Sequence, residues 1–310
     1  MTFIQVITIF LFAALGFLLF IIILGLVIKL FIFNSLKYRY QKNHAPELIK
    51  KKWFINIDNF KLNWFGEINP KGDKIILCIH DLGFSSRQFD NIEEYMLKKN
   101  PATSVVSFDL RGHGKNEIEK YHNLGKHLFD VKQVVTYLIN KYPDQKLIIL
   151  GTGLGSLLTQ EVMGLVNVEK VILASLSNKI FYQSLSKANS RIFWGTIFNS
   201  QKLIPLNYEP LDLMENNVGM QNYKKSLADS GFISVREFYQ FNTLQRRFWK
   251  ALSKNSDKVE VIQGDSDRLV NPKKIAKKIA NFSNLNFKIM KNVRHFPLND
   301  IEVEKILKDI

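Results

Sequence analysis

The sequence predicts an α/β protein: a mostly parallel sheet with helices on both faces, a helical insert late in the chain and an apolar helix in front. Three observations predict it. Apolar runs at 74–80, 104–110, 147–150, 170–174, 258–263 and 286–291 alternate with stretches of helical periodicity. Strands that alternate with helices build a parallel sheet buried on both faces. The run at 147–150 leads into Gly151-Thr152-Gly153-Leu154-Gly155 and then a helix-forming stretch at 157–165, which reads as strand, sharp turn, helix. Residues 3–28 carry no charge and are almost wholly apolar; about 20 such residues cross a bilayer.

A cleaved leader begins with a basic residue, has a shorter apolar core and ends at a small-residue site. Met1-Thr2-Phe3 has no basic side chain and the apolar run is too long, so 1–28 is expected to stay as a transmembrane helix. Residues 29–52 read as a basic juxtamembrane linker, with Lys29, Lys37, Arg39, Lys42, Lys50, Lys51 and Lys52 against Glu47 alone. Positive flanks stay on the cytoplasmic side. The expected arrangement is a single-pass protein of the cell membrane whose body, 53–310, is cytoplasmic. Cys78 is the lone cysteine and has no partner in the chain for a disulfide, which is compatible with a reducing compartment. The formal net charge is +15. A basic flank beside anionic lipid accounts for much of it, and no helix-turn-helix, zinc-finger or RNP pattern supports a nucleic acid partner.

Residues 53–57 and 61–66 alternate apolar and polar about Asp58-Asn59, a hairpin signal. Helices are expected at 87–99 and at 124–141, where Phe129, Val131, Val134, Val135, Leu138 and Ile139 fall near helical spacing. Between 177 and 256 the rhythm breaks. This insert is rich in rings, among them Phe193, Trp194, Phe198, Tyr208, Tyr223, Phe238, Tyr239, Phe241, Phe248 and Trp249, and reads as helical segments broken by Pro205, Pro210 and Gly219. Helices follow at 272–282, with Pro272 in the first turn, and at 300–310.

Four stretches at strand ends carry polar chemistry: His80-Asp81-Leu82-Gly83, Asp109-Leu110-Arg111-Gly112-His113-Gly114, Gly264-Asp265-Ser266-Asp267 and Arg294-His295. With the glycine-rich turn, and in this order, they resemble the α/β-hydrolase superfamily, in its branch of lysophospholipases, monoacylglycerol lipases and serine aminopeptidase-like proteins. The resemblance covers roughly 53–310 and makes the insert, about 177–256, a cap over the pocket. It implies acyl transfer by a serine, a histidine base and an orienting acid, with two backbone N–H groups for the oxyanion. Carried onto this chain, His295 matches the base, Asp267 the acid, and Leu82 and Leu154 the oxyanion donors through their backbone. The family's G-x-S-x-G turn is matched with Gly153 at the serine, a residue without a side-chain oxygen. Asp81 stands where the family carries glycine, which admits backbone geometry that other residues resist.

Each residue also has a plainer role. Asp267 is placed to cap the helix at Pro272, and His80, Arg111 and His113 to hold loops by hydrogen bonds. Thr152 and Ser156 are the nearby hydroxyls that could replace the serine, but the turn projects only its apical residue at the base. Three classes stay open: a hydrolase of lipid-like esters or amides, a noncatalytic binder of a lipid, acyl ligand or protein, and a serine-independent enzyme in which His295 activates water. The anchor and aromatic cap favour a lipid-like or acyl ligand; no cofactor or metal is expected.

Overall fold

The apolar runs pair as their alternation requires. In a computed structural model, which describes residues 2–177, 189–206, 213, 231–297, 304 and 307, the strands are β1 (Glu47–Ile49), β2 (Trp53–Ile55), β3 (Lys61–Phe65), β4 (Lys74–Ile79), β5 (Thr103–Phe108), β6 (Lys146–Thr152), β7 (Val168–Ala174), β10 (Val259–Gly264) and β11 (Asn286–Met290). They form one nine-stranded sheet in the order β1-β2-β3-β5-β4-β6-β7-β10-β11. The first three strands run antiparallel, as a meander that joins β5; from β5 to β11 all pairs are parallel. β4, β6 and β7 are buried along nearly their whole length, which is why they read as continuous apolar runs rather than alternating ones.

The helices cover both faces. They are α2 (Asp90–Lys99), α3 (Leu124–Lys141), α4 (Leu154–Leu158) and α7 (Pro272–Ile279). α3 starts at Asn123, whose side chain accepts from the Gly125 N–H, and turns Leu124, Leu128, Val131, Val134, Val135 and Leu138 onto the sheet. The helix after the glycine-rich turn begins at 154 rather than 157 and ends at 158, continuing as one 3₁₀ turn.

Two expectations need correction. The apolar N-terminal helix, α1 (Phe3–Phe33), does not stop at 28. Leu30–Phe33 extends the apolar run, and Lys29 turns its ammonium onto the Ile197 carbonyl instead of ending the helix. The basic segment after it is tied to the body more closely than its composition suggests: Leu36 is buried, the Ser35 and Lys37 carbonyls accept from Gln240 and Asn123, and β1 lies within it. The insert is not purely helical. Between α5 (Asn189–Phe198) and α6 (Val235–Leu252), β8 (Leu203–Pro205) and β9 (Phe232–Ser234) make a two-stranded antiparallel ribbon. Pro205 sits in it without breaking it, because a ribbon edge needs no N–H from every residue. Phe181, Tyr182, Tyr208, Pro210, Gly219, Tyr223 and most of the expected last helix lie outside the described residues.

The Asp109–Gly114 segment fastens the loops at the strand ends. Asp109 accepts from the Ser86 backbone and hydroxyl, from the Asn63 amide and from the Lys115 N–H. Arg111 is buried between Asp130, which it meets through two nitrogens at 2.7 Å each, and Asp58 at 2.6 Å, with its plane over Phe60. Breaking a buried pair by deleting one partner leaves the others charged and dry. Arg111→Ala is therefore expected to lower stability by about 3–5 kcal/mol, read from chemical denaturation of the full chain; a loss under about 1 kcal/mol, the range of exposed pairs, would mean that Arg111 does not fasten the loop.

Candidate functional site

The register of the sheet brings the site together. β4 and β6 are parallel neighbours with Ile79 opposite Gly151, so residues two positions beyond each, Asp81 and Gly153, emerge side by side. β10 and β11 end in register at Gly264 and Met290, and the loops beyond them carry Asp267 and His295. The carboxyl ends of parallel strands are where α/β sheets gather their sites.

Gly153 is the apex of the turn, with φ 47° and ψ −109°, a conformation costly for a residue with a Cβ. Its neighbour Gly155 lies against the Ile79 and His80 carbonyls, where a side chain would collide with backbone. The turn is tight, and its apex carries no side chain.

The Asp81 carboxylate fills that space. A Cβ built on Gly153 would fall inside it. Asp81 Oδ1 accepts the Leu82 N–H at 2.7 Å and the Leu154 N–H at 2.6 Å, and Oδ2 faces His295 Nε2 at 3.3 Å. The two N–H groups matched to an oxyanion hole thus hold a carboxylate of the chain itself. Behind Asp81, its own N–H donates to Gln88 Oε1 at 3.1 Å. His80 Nε2 accepts the Leu110 N–H, so its proton sits on Nδ1 and donates to the Asp81 carbonyl at 2.7 Å.

His295 is buried between two carboxylates. Its Nδ1 meets Asp267 Oδ2 at 2.9 Å, opposite the Nε2 contact with Asp81. Asp267 is itself fixed: Oδ1 accepts the Leu269 and Val270 N–H groups, and Oδ2 the Gln263 amide. The cap of α7 is Asn271, so Asp267 is not spent there. Ser175, at φ 57°, donates its hydroxyl to the His295 carbonyl. Burial opposes a charge on His295, but the Asp267 carboxylate and then Asp81 outweigh it and raise the pKa to about 10. Both ring nitrogens face a carboxylate, an arrangement that favours the imidazolium.

Neither nearby hydroxyl faces the ring. Thr152 Oγ1 donates to Gln88 Oε1, and Ser156 Oγ turns to the Gly151 and Ala174 carbonyls. His113 bonds the Arg111 carbonyl and burial lowers its pKa to about 3, which fits a loop-holding role. A cavity of about 20 Å³ lined by Asp81, Gly153, Leu154, Phe241, Val270 and His295 among others remains at the site, room for one water. A larger cleft of about 530 Å³ lies between Tyr40–Pro46 and α3 and shares no residue with this site. Among the described residues no group of three or more His, Cys, Asp or Glu side chains is set to hold a metal ion.

Asp81 is what sequence reasoning undervalued. The signal was present as two positions read separately: a glycine at 153, where the resemblance implies a serine, and a carboxylate at 81, where it implies a glycine.

The model of the serine aminopeptidase S33 family matches residues 70–302. The chain belongs to this family. Among solved structures, a soluble variant of monoglyceride lipase from Saccharomyces cerevisiae, in complex with a substrate analogue, is 17% identical. The alignment covers 88% of this chain and 96% of that one, with a TM-score of 0.66. The monoacylglycerol lipase of Paleococcus ferrophilus is 16% identical over 80% and 95% of the two chains, at 0.63. A carboxyl esterase of Bacillus coagulans in complex with glycerol is 15% identical over 86% and 96%, at 0.59. No curated protein sequence matches. At these identities the neighbours establish the α/β-hydrolase fold; this S33 family member shares it with lipases and esterases that retain little of its sequence.

The charge on His295 sets a pH dependence. Its pKa in the fold, about 10, stands above the 6.5 of a free side chain, so its contribution to stability is complete below about pH 6.5 and is lost as pH rises through about 10. The stability difference between the full chain and His295→Gln is therefore expected to be largest in mildly acidic buffer and to shrink steadily on the alkaline side. A difference that does not vary across that window would mean that the ring is neutral in the fold.

Proposed function

We propose that this member of the S33 family is a membrane-anchored relative of lipid and ester hydrolases in which the serine acyl-enzyme route is closed, and that it binds a lipid-like or acyl ligand without hydrolysing it. The observation that carries this reading is the Asp81 carboxylate, seated on the Leu82 and Leu154 N–H groups beside a side-chain-free Gly153. Acyl transfer needs a nucleophile, an empty oxyanion hole and a base able to take a proton. Here the turn offers no oxygen, the donors are occupied, and the two flanking carboxylates favour a proton on His295. The same proton weighs against water activation by His295.

The ligand class rests on the neighbours, a monoglyceride lipase in complex with a substrate analogue among them. The apolar α1, long enough to cross a bilayer, supports the membrane anchor. Its basic flank supports a cytoplasmic body.

The test restores the lost parts in combination. The full chain is expected to show no covalent labelling by a fluorophosphonate probe. Gly153→Ser alone is expected to remain inactive on p-nitrophenyl esters, because its side chain meets the Asp81 carboxylate. Asp81→Gly with Gly153→Ser empties the cradle, supplies the oxygen and relieves the charge on His295. Turnover at least about 100-fold above either single variant is expected, the scale of an oxyanion-hole contribution. Labelling of the unaltered chain, or ester turnover by it that His295→Ala abolishes, would show an open catalytic route and overturn the reading.

A further inference from the structure

We infer that α5, the first described helix of the cap, lies in the interfacial layer of the same bilayer that α1 crosses, so that the cap is a second membrane contact. The inference rests on the reading of α1 as a membrane span and adds where the body sits against the bilayer.

The first observation is a face of exposed rings that no other described residue covers. On α5, Phe193, Trp194 and Phe198 are 57%, 53% and 75% exposed. Trp194 stacks on Phe198 at 5.6 Å and packs edge-on with Phe193 at 5.3 Å, so they form one patch. The opposite face is spent on the fold: Ile192 is buried, Thr196 meets the Tyr239 hydroxyl, and Gly195 lets α5 approach Val235 closely. Rings on a water-exposed surface are costly, and amphipathic aromatic rings gather at the headgroup level of membranes.

The second observation sets the depth of that patch. Lys29 Nζ donates to the Ile197 carbonyl at 2.5 Å, in the last turn of α5. Lys29 is the first charge along α1, four residues before its end at Phe33, so the last turns of α1 carry the boundary between hydrocarbon and headgroups, and the end of α5 stands level with them. The body is not free to swing away from this position. Phe33 is buried beside Tyr239 of α6, and the carbonyls of Ser35 and Lys37 are bonded to Gln240 and Asn123.

The third observation is charge. Residues 189–206 contain Arg191 and Lys202 and no acid, and both basic residues are exposed. Basic side chains flanking an aromatic patch suit an anionic lipid surface. The continuity with α1 and the basic rim favour a bilayer over a second protein as the occupant.

The test uses tryptophan quenching in the full chain, reconstituted in vesicles of phosphatidylglycerol and phosphatidylcholine brominated near the top of its acyl chains. The Trp194 signal is the difference between the native chain and Trp194→Phe. It is expected to fall by about half or more in brominated lipid, while the signal left in Trp194→Phe, from Trp53, Trp64 and Trp249, changes little. Phe198→Glu is expected to reduce that quenching, since it puts a charge in the patch. Adding Leu24→Trp to Trp194→Phe places a reporter within α1 about 8 Å along the helix from Lys29, at the depth of the bromines, and reads that helix separately. Quenching of this α1 reporter with an unquenched Trp194 signal would mean that α1 crosses the bilayer but α5 stays off it, which overturns the inference alone. Loss of both signals' quenching would overturn the membrane span as well. An unquenched Trp194 together with a cross-linked dimer would assign the patch to a second copy instead.

Discussion

A carboxylate held by two backbone N–H groups and one imidazolium is the constraint on which the site depends. Asp81 can sit there only because Gly153 has no side chain, and the space at Gly153 is filled only because Asp81 reaches into it. The remaining parts of the site are arranged around this pair. His80 and Gln88 fix the Asp81 backbone, Asp267 balances the far side of His295, and Ser175 holds the His295 carbonyl. Three charges in a row, minus, plus, minus, are tolerable in a buried site because every one of them has a partner at hydrogen-bond distance or close to it. A hydrolytic site needs its donors unoccupied until charge develops in the transition state. Here the Asp81 carboxylate rests on the Leu82 and Leu154 N–H groups, and the proposed reading is built on that contact.

The fold was legible because its signals are redundant. Buried parallel strands leave long apolar runs, and a helix such as α3 repeats its apolar face over several turns, so errors at one residue do not matter. Two of the readings that failed depended on a single residue whose partner is remote in sequence. Lys29 looks like the end of an apolar helix, and only the Ile197 carbonyl shows that the charge is satisfied and the helix can go on to Phe33. Pro205 looks like a helix breaker, and its place in a ribbon depends on the pairing with Phe232. β1 is three residues at an edge, too short to show a period.

The site was legible in its parts and not in its wiring. The order of the motifs pointed to His295, Asp267, Leu82, Leu154 and Gly153, and the structure gathers all five at the same strand ends. What the order could not give was the contact between Asp81 and the turn. Residue identity says that Asp81 replaces a small residue; only the register of β4 against β6 says that its carboxylate points at Gly153. The same limit applies to the rings of the insert. Composition groups Phe193, Trp194 and Phe198 with Phe241 and Phe248, whereas burial divides them into an exposed patch and a core.

The most direct measurement is the protonation of His295 in the intact protein, read by nitrogen NMR of histidine-labelled chain in lipid nanodiscs. Two protonated ring nitrogens are predicted at neutral pH, persisting until the solution nears the pKa of about 10, with a titration that moves down when Asp81 is replaced by Gly. A neutral ring with one protonated nitrogen at neutral pH would contradict this, because the carboxylate would then not be holding His295 and the imidazole would be free to act as a base.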